Sequence, residues 1–377
     1  MQQSQAIMTL ICAIVKLILL SMPTAIITGS LGLVGSHVAN VLSNCGFRIV
    51  GIDCDVRSSL FTDVSPLSAS DINSLNHKSS VDQHYSVDIR DSELVANVIE
   101  SELSSNDVAL IVHCAAQPSH DWASSAPLVD LNINLVGTIN ILENLRVRNY
   151  TGLFVFLSTN KVYGDLPNYL PLIEDDTRFE VPVDHIYHKG IDTSMSIDKS
   201  LHSLFGCSKA SADLYVQEYS RYFGMKTVVL RGGCLTGSGH RGAKLHGFLS
   251  YLIKTAVEGN SYTVFGYKGK QVRDNLHATD IGRLISKIYD KSQSESPPDF
   301  PVVANLGGGR DNAVSVLEVI NTLKDSFDLN LSFDVSSTAR VGDHKWYITD
   351  NSFLSKEFSW RPTQSVSDII QDILTYS

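Results

Sequence analysis

The sequence has no Cys-x-x-Cys pair and no histidine cluster at zinc-binding spacing. Its six cysteines, Cys12, Cys45, Cys54, Cys114, Cys207 and Cys234, are scattered along the chain. Neither a disulfide frame nor a metal site is signalled, and reduced thiols in a cytoplasmic protein are expected. Basic residues are in deficit: Lys+Arg 30 stand against Asp+Glu 40, for a formal net charge of −10. That balance argues against a nucleic-acid or anionic-membrane surface, although a local basic pocket can still hold a small anion. There is no internal repeat and no low-complexity tract. With 43% hydrophobic and 19% charged residues, the 377-residue chain is ordinary globular material for one large or two modest domains.

A long apolar run is nearly absent as well. Residues 1–23 come closest, with Ala6 to Leu20 apolar except for Thr9 and Lys16. This segment has no positive n-region and is shorter than the ~20 apolar residues that span a bilayer. The expectation is a leader that is non-native, a misplaced start or a weak membrane segment, ahead of a natural beginning at Met22-Pro23-Thr24.

Immediately after that point the chain carries a phosphate-binding turn. A β-branched run, Ala25-Ile26-Ile27-Thr28, leads into Gly29-Ser30-Leu31-Gly32-Leu33-Val34-Gly35 and then a helical pattern. Gly29 supplies a turn with positive φ, Gly32 removes a Cβ from the path of a pyrophosphate, and Gly35 lets the helix approach the strand. The first turn of that helix presents free N–H groups to the phosphates, so Leu31, Leu33 and Val34 join the glycines as cofactor-binding positions. A second strand, Arg48 to Asp53, ends in a carboxylate. Asp53 can accept hydrogen bonds from the adenosine ribose and repels a 2′-phosphate, so the cofactor reads as NAD rather than NADP.

Further apolar runs at 109–113, 153–157 and 227–231 alternate with helical periodicity at Val34–Asn44, Asp91–Ser104, Leu128–Val147 and Ser208–Phe223. This alternation predicts an α/β protein with a Rossmann-type doubly wound parallel sheet. From about residue 237 the texture changes, predicting an NAD-binding domain over 24–236 and a smaller C-terminal substrate-binding lobe over 237–377, with late segments returning to the core. The Ser/Asn/Asp-rich stretch Ser65–Ser80 reads as an exposed loop.

Strand 109–113 runs into Cys114-Ala115-Ala116-Gln117-Pro118-Ser119-His120-Asp121-Trp122, and strand 153–157 into Ser158-Thr159-Asn160-Lys161-Val162-Tyr163-Gly164. Phe205-Gly206-Cys207-Ser208-Lys209 comes next, then Arg231-Gly232-Gly233-Cys234 and Lys270-Gln271-Val272-Arg273-Asp274. In these strings the chain resembles the extended short-chain dehydrogenase/reductases, the NAD-dependent epimerases and dehydratases, and within them the CDP-paratose 2-epimerases, also called CDP-tyvelose epimerases. The resemblance implies a homo-oligomeric isomerase that acts on a CDP-activated deoxysugar by transient oxidation at C2 and reduction from the opposite face. Thr159 matches the Ser/Thr that hydrogen-bonds the reacting oxygen. Lys209 matches the lysine that holds the nicotinamide ribose and lowers the pKa of the base.

The departure lies at Phe205, where the pattern Tyr-x-x-x-Lys calls for a tyrosine. A phenyl ring cannot accept a proton. A relocated base is then required, with His202, Tyr163, Cys207 and His120 as candidates and His202 at their head; otherwise the chain carries out altered chemistry or binds without turnover. By the same matching, Arg57, Asp88 and Ile89 meet the adenosine, and Ala115, Ala116, Gln117 and Cys234 line the rest of the cofactor. Asn134 tethers the sheet. Lys270 and Arg273 form a cationic pair for the diphosphate, and Gln117, Ser119, His120, Lys161 and His246 read the sugar. The alternatives are another nucleotide-sugar epimerase or dehydratase, or a non-catalytic NAD and sugar-nucleotide sensor.

Overall fold

The computed structural model describes residues 22–56, 66–239, 247–338 and 342–376. The leader up to residue 21, Arg57 and His246 lie outside the described residues. Seven short runs rich in Val, Ile, Leu and Phe form one sheet: β1 (Thr24–Thr28), β2 (Arg48–Ile52), β3 (Gln83–Tyr85), β4 (Val108–His113), β5 (Leu153–Thr159), β6 (Lys226–Gly232) and β7 (Val302–Leu306). Their order is β7-β6-β5-β4-β1-β2-β3, and every neighbouring pair is parallel. The chain leaves β1 towards β2 and β3, then returns to the other side of β1 through β4. The crevice at the carboxyl ends of β1 and β4 is where such a sheet admits a ligand.

Continuous apolar strands work here because both faces of the sheet are covered. Side chains alternate along β1, so Ala25 and Ile27 pack on one side with Val38, Ala39 and Leu42 of α1 (Leu33–Asn44). Ile26 packs on the other with Val95, Val98 and Ile99 of α3 (Ser92–Ser105) and Ile141, Leu142 and Leu145 of α4 (Gly137–Val147). Helix α5 (Leu204–Phe223) joins that second face through Ala212 and Val216. Helix α6 (Ala278–Ser292) contributes Ile281, Leu284, Ile285 and Ile288 to the first.

The rest of the C-terminal half has its own apolar centre, built from Phe248–Val257, Ser261–Phe265, Val316–Phe327 and Val366–Tyr376. A strand at Val272–His277 ties the two centres together. It pairs with Ala313–Ser315 and with Cys234–Thr236, the short strand that directly succeeds β6.

Three elements differ from the sequence reading. The Ser65–Ser80 stretch holds helix α2 (Ala69–Lys78), because Ser68 and Asp71 form a reciprocal capping box that satisfies the helix's first N–H groups. The single helix expected over Leu128–Val147 is broken into Pro127–Leu131, a π-helical turn at Asn132–Val136, and α4. Helix α5 starts at Leu204 rather than Ser208, with the Ser203 hydroxyl accepting from Gly206 N–H.

Candidate active site

The strand ends and the second lobe enclose a cleft with a cavity volume of about 540 Å³. At one end lies the glycine turn. Gly29 has φ of +71°, and a Cβ on it would fall 2.7 Å from the Ala115 nitrogen of the neighbouring strand end. A Cβ on Gly35 would fall 2.1 Å from the Gly29 carbonyl oxygen, which shows how closely α1 approaches β1. Gly32 caps α1 with no side-chain hydrogen bond, so the first N–H groups of the helix have no capping side chain in their way. Leu31, Leu33 and Val34 line the cleft with them.

Asp53 closes this end. Its carboxylate accepts from the backbone N–H groups of Leu31 and Asp55, each at 3.0 Å. Burial pushes its pKa up while those N–H groups and His84 pull it back; two donors aimed at the carboxylate favour the ionised form. Asp88 and Ile89 line the same end. Asp88 is held below the usual carboxylate range because hydrogen bonds and charge from Arg90 outweigh its burial.

Further along, Cys114, Ala115 and Ala116 form the wall beyond β4. A buried polar chain sets their position. Thr138 donates to Asn134 O, so its oxygen takes the His113 Nε2–H at 3.0 Å. His113 Nδ1 then accepts from Thr28 Oγ1 at 2.6 Å, and Thr28 Oγ1 accepts from Ala115 N–H at 3.2 Å. Burial, helped by the Lys209 charge, lowers the His113 pKa to about 3.

Lys209 and Lys161 stand in the middle of the cleft. Lys209 donates to Leu157 O at 2.7 Å and lies over the Phe156 ring. Lys161 donates to Gly342 O at 2.8 Å. Burial brings each ammonium down to about 8, against the opposing pull of Asp213 on Lys209 and Asp343 on Lys161. Thr159, at the end of β5, accepts from Lys161 N–H at 3.2 Å and lines the cleft beside them. Phe205, one helical turn before Lys209, also forms wall, with His120 edge-on to it at 4.8 Å between ring centres. Beneath this floor Arg231 makes a two-point pair with Asp213, both contacts at 3.0 Å, and Ser158 donates to the same carboxylate.

Several residues singled out in the sequence face elsewhere. The Gln117 amide is buried on Asp130 (2.7 Å) and Ser119 O, and Asn134 bonds both its N–H and its C=O, so Gln117 braces the loop rather than reading a ligand. Asn134 also donates to Ser208, which ties the loop after β4 to α5. Ser119 caps the helix His120–Ser125 through Trp122 N–H. His202 is fixed on Val162 O at 2.7 Å and is not part of the cleft wall. The cationic pair does not form. Lys270 ends a turn and binds Glu174 and Asp175 O, whereas Arg273 alternates to the other side on the adjoining strand and enters the cleft beside Asp343. Cys234 lines the cleft close to Arg273 and Lys161, and burial pushes its thiol up to about 11.

The structure adds Gln271 and Asn275 to the wall. Both are buried, and Gln271 Oε1 and Asn275 Oδ1 meet no donor among the described residues. Nothing in a polar strand sequence marks an unmatched acceptor, which only the fold around it can create. Among the described residues no group of three or more His, Cys, Asp or Glu is placed to hold a metal.

A doubly wound sheet, a glycine turn with uncapped N–H groups and an acid at the end of β2 define a dinucleotide-binding protein whose cleft runs on into a second lobe. The chain belongs to the NAD dependent epimerase/dehydratase family, whose profile matches residues 25–307, and its cofactor is NAD. It is similar to the CDP-paratose 2-epimerase of Salmonella typhi, 30% identical over 93% of this chain and 98% of that protein. A putative UDP-glucose 4-epimerase of Methanocaldococcus jannaschii is 25% identical over 93% of this chain and 97% of that protein. In fold it is similar to the UDP-glucose-4-epimerase of Stenotrophomonas maltophila solved with bound NAD and formylated UDP-arabinopyranose. That likeness has a TM-score of 0.73 and 20% identity, and covers 94% of this chain and 97% of that one.

Proposed function

We propose that the protein is a nucleotide-sugar epimerase that inverts C2 of a CDP-3,6-dideoxyhexose, interconverting CDP-paratose and CDP-tyvelose. The observation that carries the reading is the cleft itself: one wall fits NAD, and the opposite end offers Thr159, Lys161 and Arg273 to a second, anionic ligand. The near full-length match to a CDP-paratose 2-epimerase supports the choice of sugar nucleotide.

Bound NAD supplies an acceptor and donor of two electrons, so no net oxidant is needed. Gly29 to Gly35 hold its pyrophosphate, Asp53 the adenosine ribose and Lys209 the nicotinamide ribose. Thr159 positions the sugar oxygen, and Arg273 faces the diphosphate. The protein is expected in the cytoplasm; no helix among the described residues is long and apolar enough to cross a membrane. Exposed Leu214, Tyr215, Tyr222 and Phe223 on α5 support a homo-oligomer.

The test is incubation of purified protein with CDP-paratose and NMR analysis of the product. Inversion at C2 without loss of water is expected; a 4-keto-6-deoxy product from other nucleotide sugars overturns the reading in favour of a dehydratase. The second reading, a sensor that binds without turnover, is favoured by Phe205 alone. It predicts saturable binding of NAD and CDP-sugar with no product.

A further inference from the structure

Two buried amides in the cleft wall have oxygens without a donor, and they flank the cation that enters the cleft. Gln271 stands immediately before the strand Val272–His277, and Arg273 and Asn275 come next on the same side of it. Val272 and Asp274 turn to the opposite side. Val272 joins the apolar cluster of Trp346 and Tyr347, and Asp274 accepts from the Gly309 and Thr349 N–H groups, each at 3.0 Å. The other three line the cleft, with Gln271 7% exposed, Arg273 8% and Asn275 0%. The result is a row of acceptor, cation and acceptor, each about 6.7 Å from the next along the strand.

Each amide nitrogen is engaged. Gln271 Nε2 donates to Phe265 O at 3.4 Å and Asn275 Nδ2 to Arg273 O at 3.3 Å. Turning either amide over would set oxygen against carbonyl oxygen, so hydrogen bonding fixes which atom is which. Gln271 Oε1 and Asn275 Oδ1 then meet no donor among the described residues. A buried acceptor without a donor is costly, and the fold keeps two of them in the wall of its cleft.

A phosphate held by Arg273 sends the rest of a ligand over Gln271 on one side and over Asn275 on the other. The two sides differ. Asn275 pairs with Cys234, two residues beyond Gly232, and Gly232 pairs with Thr159 at the end of β5. That side leads towards Lys209 and the reacting end of the cleft. Gln271 adjoins Phe265 and, because Val272 pairs with Ser315, also Val316; Phe248, Leu249 and Tyr262 complete an apolar wall there. Such a wall suits a flat ring.

We propose that Gln271 selects the base of the nucleotide, its Oε1 accepting from an exocyclic amine such as the one at C4 of cytosine. This rests on reading the second ligand as a nucleotide sugar. Uracil offers the wrong edge: it carries an oxygen at C4, and its one ring N–H stands between two carbonyl oxygens that repel Oε1. The diphosphate and sugar are alike in the two ligands, so Gln271 is where CDP and UDP are told apart. A site built around a hydrogen bond rejects the analogue that cannot make it.

The experiment titrates the full chain, loaded with NAD, with CDP and with UDP by calorimetry. CDP is expected to bind about 10-fold more tightly, the worth of one hydrogen bond made against one refused. In Gln271→Met, UDP binding is expected to stay as it was and CDP binding to fall to the same level. The ligand-free melting temperature of that variant is expected to hold or rise, because a buried acceptor that nothing satisfies has been removed. A glutamine kept for packing alone gives the reverse, a lower melting temperature with the CDP-to-UDP ratio unchanged. That result overturns the proposal, as does equal or tighter binding of UDP by the unmodified protein. Should CDP be preferred through Gln271 while CDP-paratose is not turned over, the epimerase reading falls and the assignment of Gln271 stands. Turnover of CDP-paratose with a ratio that Gln271→Met leaves unchanged overturns the assignment alone.

Discussion

At the scale of single residues, two titratable groups govern how this site responds to change. Asp53 accepts one backbone N–H from the glycine turn, that of Leu31, and one from Asp55 just beyond it, and on the proposed function its charge faces the 2′-position of the adenosine ribose. Asp53→Ala removes a charged acceptor worth about 1.5–3 kcal/mol per hydrogen bond. Titration should show NAD binding weakened by roughly 10- to 100-fold and the preference over NADP relaxed; equal affinity for the two cofactors before mutation would remove the argument. His113 is neutral in the fold, its pKa lowered to about 3 from 6.5. Below 6.5 the unfolded chain takes up a proton that the folded one refuses, so this group's contribution is complete above 6.5 and is lost as pH falls. At pH 5 the loss is about 2 kcal/mol. The urea midpoint should drop less between pH 7 and pH 5 in His113→Asn than in the unmodified protein.

Elements place these residues, and the glycine turn shows two different uses of a missing Cβ. At Gly35 a methyl group would collide with the Gly29 carbonyl at 2.1 Å, backbone against backbone, whereas at Gly32 it would meet only that same oxygen at 3.2 Å. Gly35→Ala should therefore destabilise the protein without any ligand, by about 1–3 kcal/mol. Gly32→Ala should leave the ligand-free melting temperature nearly unchanged and abolish the increase that NAD produces. Thermal melts with and without NAD distinguish the two, and equal losses in both variants would mean that α1 approaches β1 differently. Much of this was legible in the chain, since glycines at such spacing after a β-branched run have few other uses. The cationic pair was not. Lys270 and Arg273 look alike in sequence, but strand alternation and the carboxylates of Glu174 and Asp343 send them to different places.

For the molecule as a whole, the cleft spans two apolar centres, and each end is expected to bind its ligand by itself. A ligand at 100 times its dissociation constant stabilises the fold by about 2.7 kcal/mol. NAD and CDP should each raise the melting temperature, and Arg273→Ala should remove the CDP increment while keeping that of NAD. Loss of both increments would show that the two ends do not act separately. The sequence predicted that late segments rejoin the core but not which ones; that they are α6 and β7 was not readable, because an apolar strand carries no label for the sheet it joins.

The sequence by itself determined the alternation of strands and helices, the dinucleotide turn and its acid, because each is local: a few consecutive residues must adopt one backbone path, and few residue types allow it. It also displayed the absence of a phenol at Phe205. Which side chains surround that place was decided by tertiary structure alone. His120 and Ser203 are brought within 2.8 Å across 83 residues of chain and lie against or beside the Phe205 ring, while His202, nearer to it in sequence, is turned onto Val162 O. Proton transfer depends on distances between side chains from different elements, and those distances exist only after the sheet has assembled and α5 has packed against it.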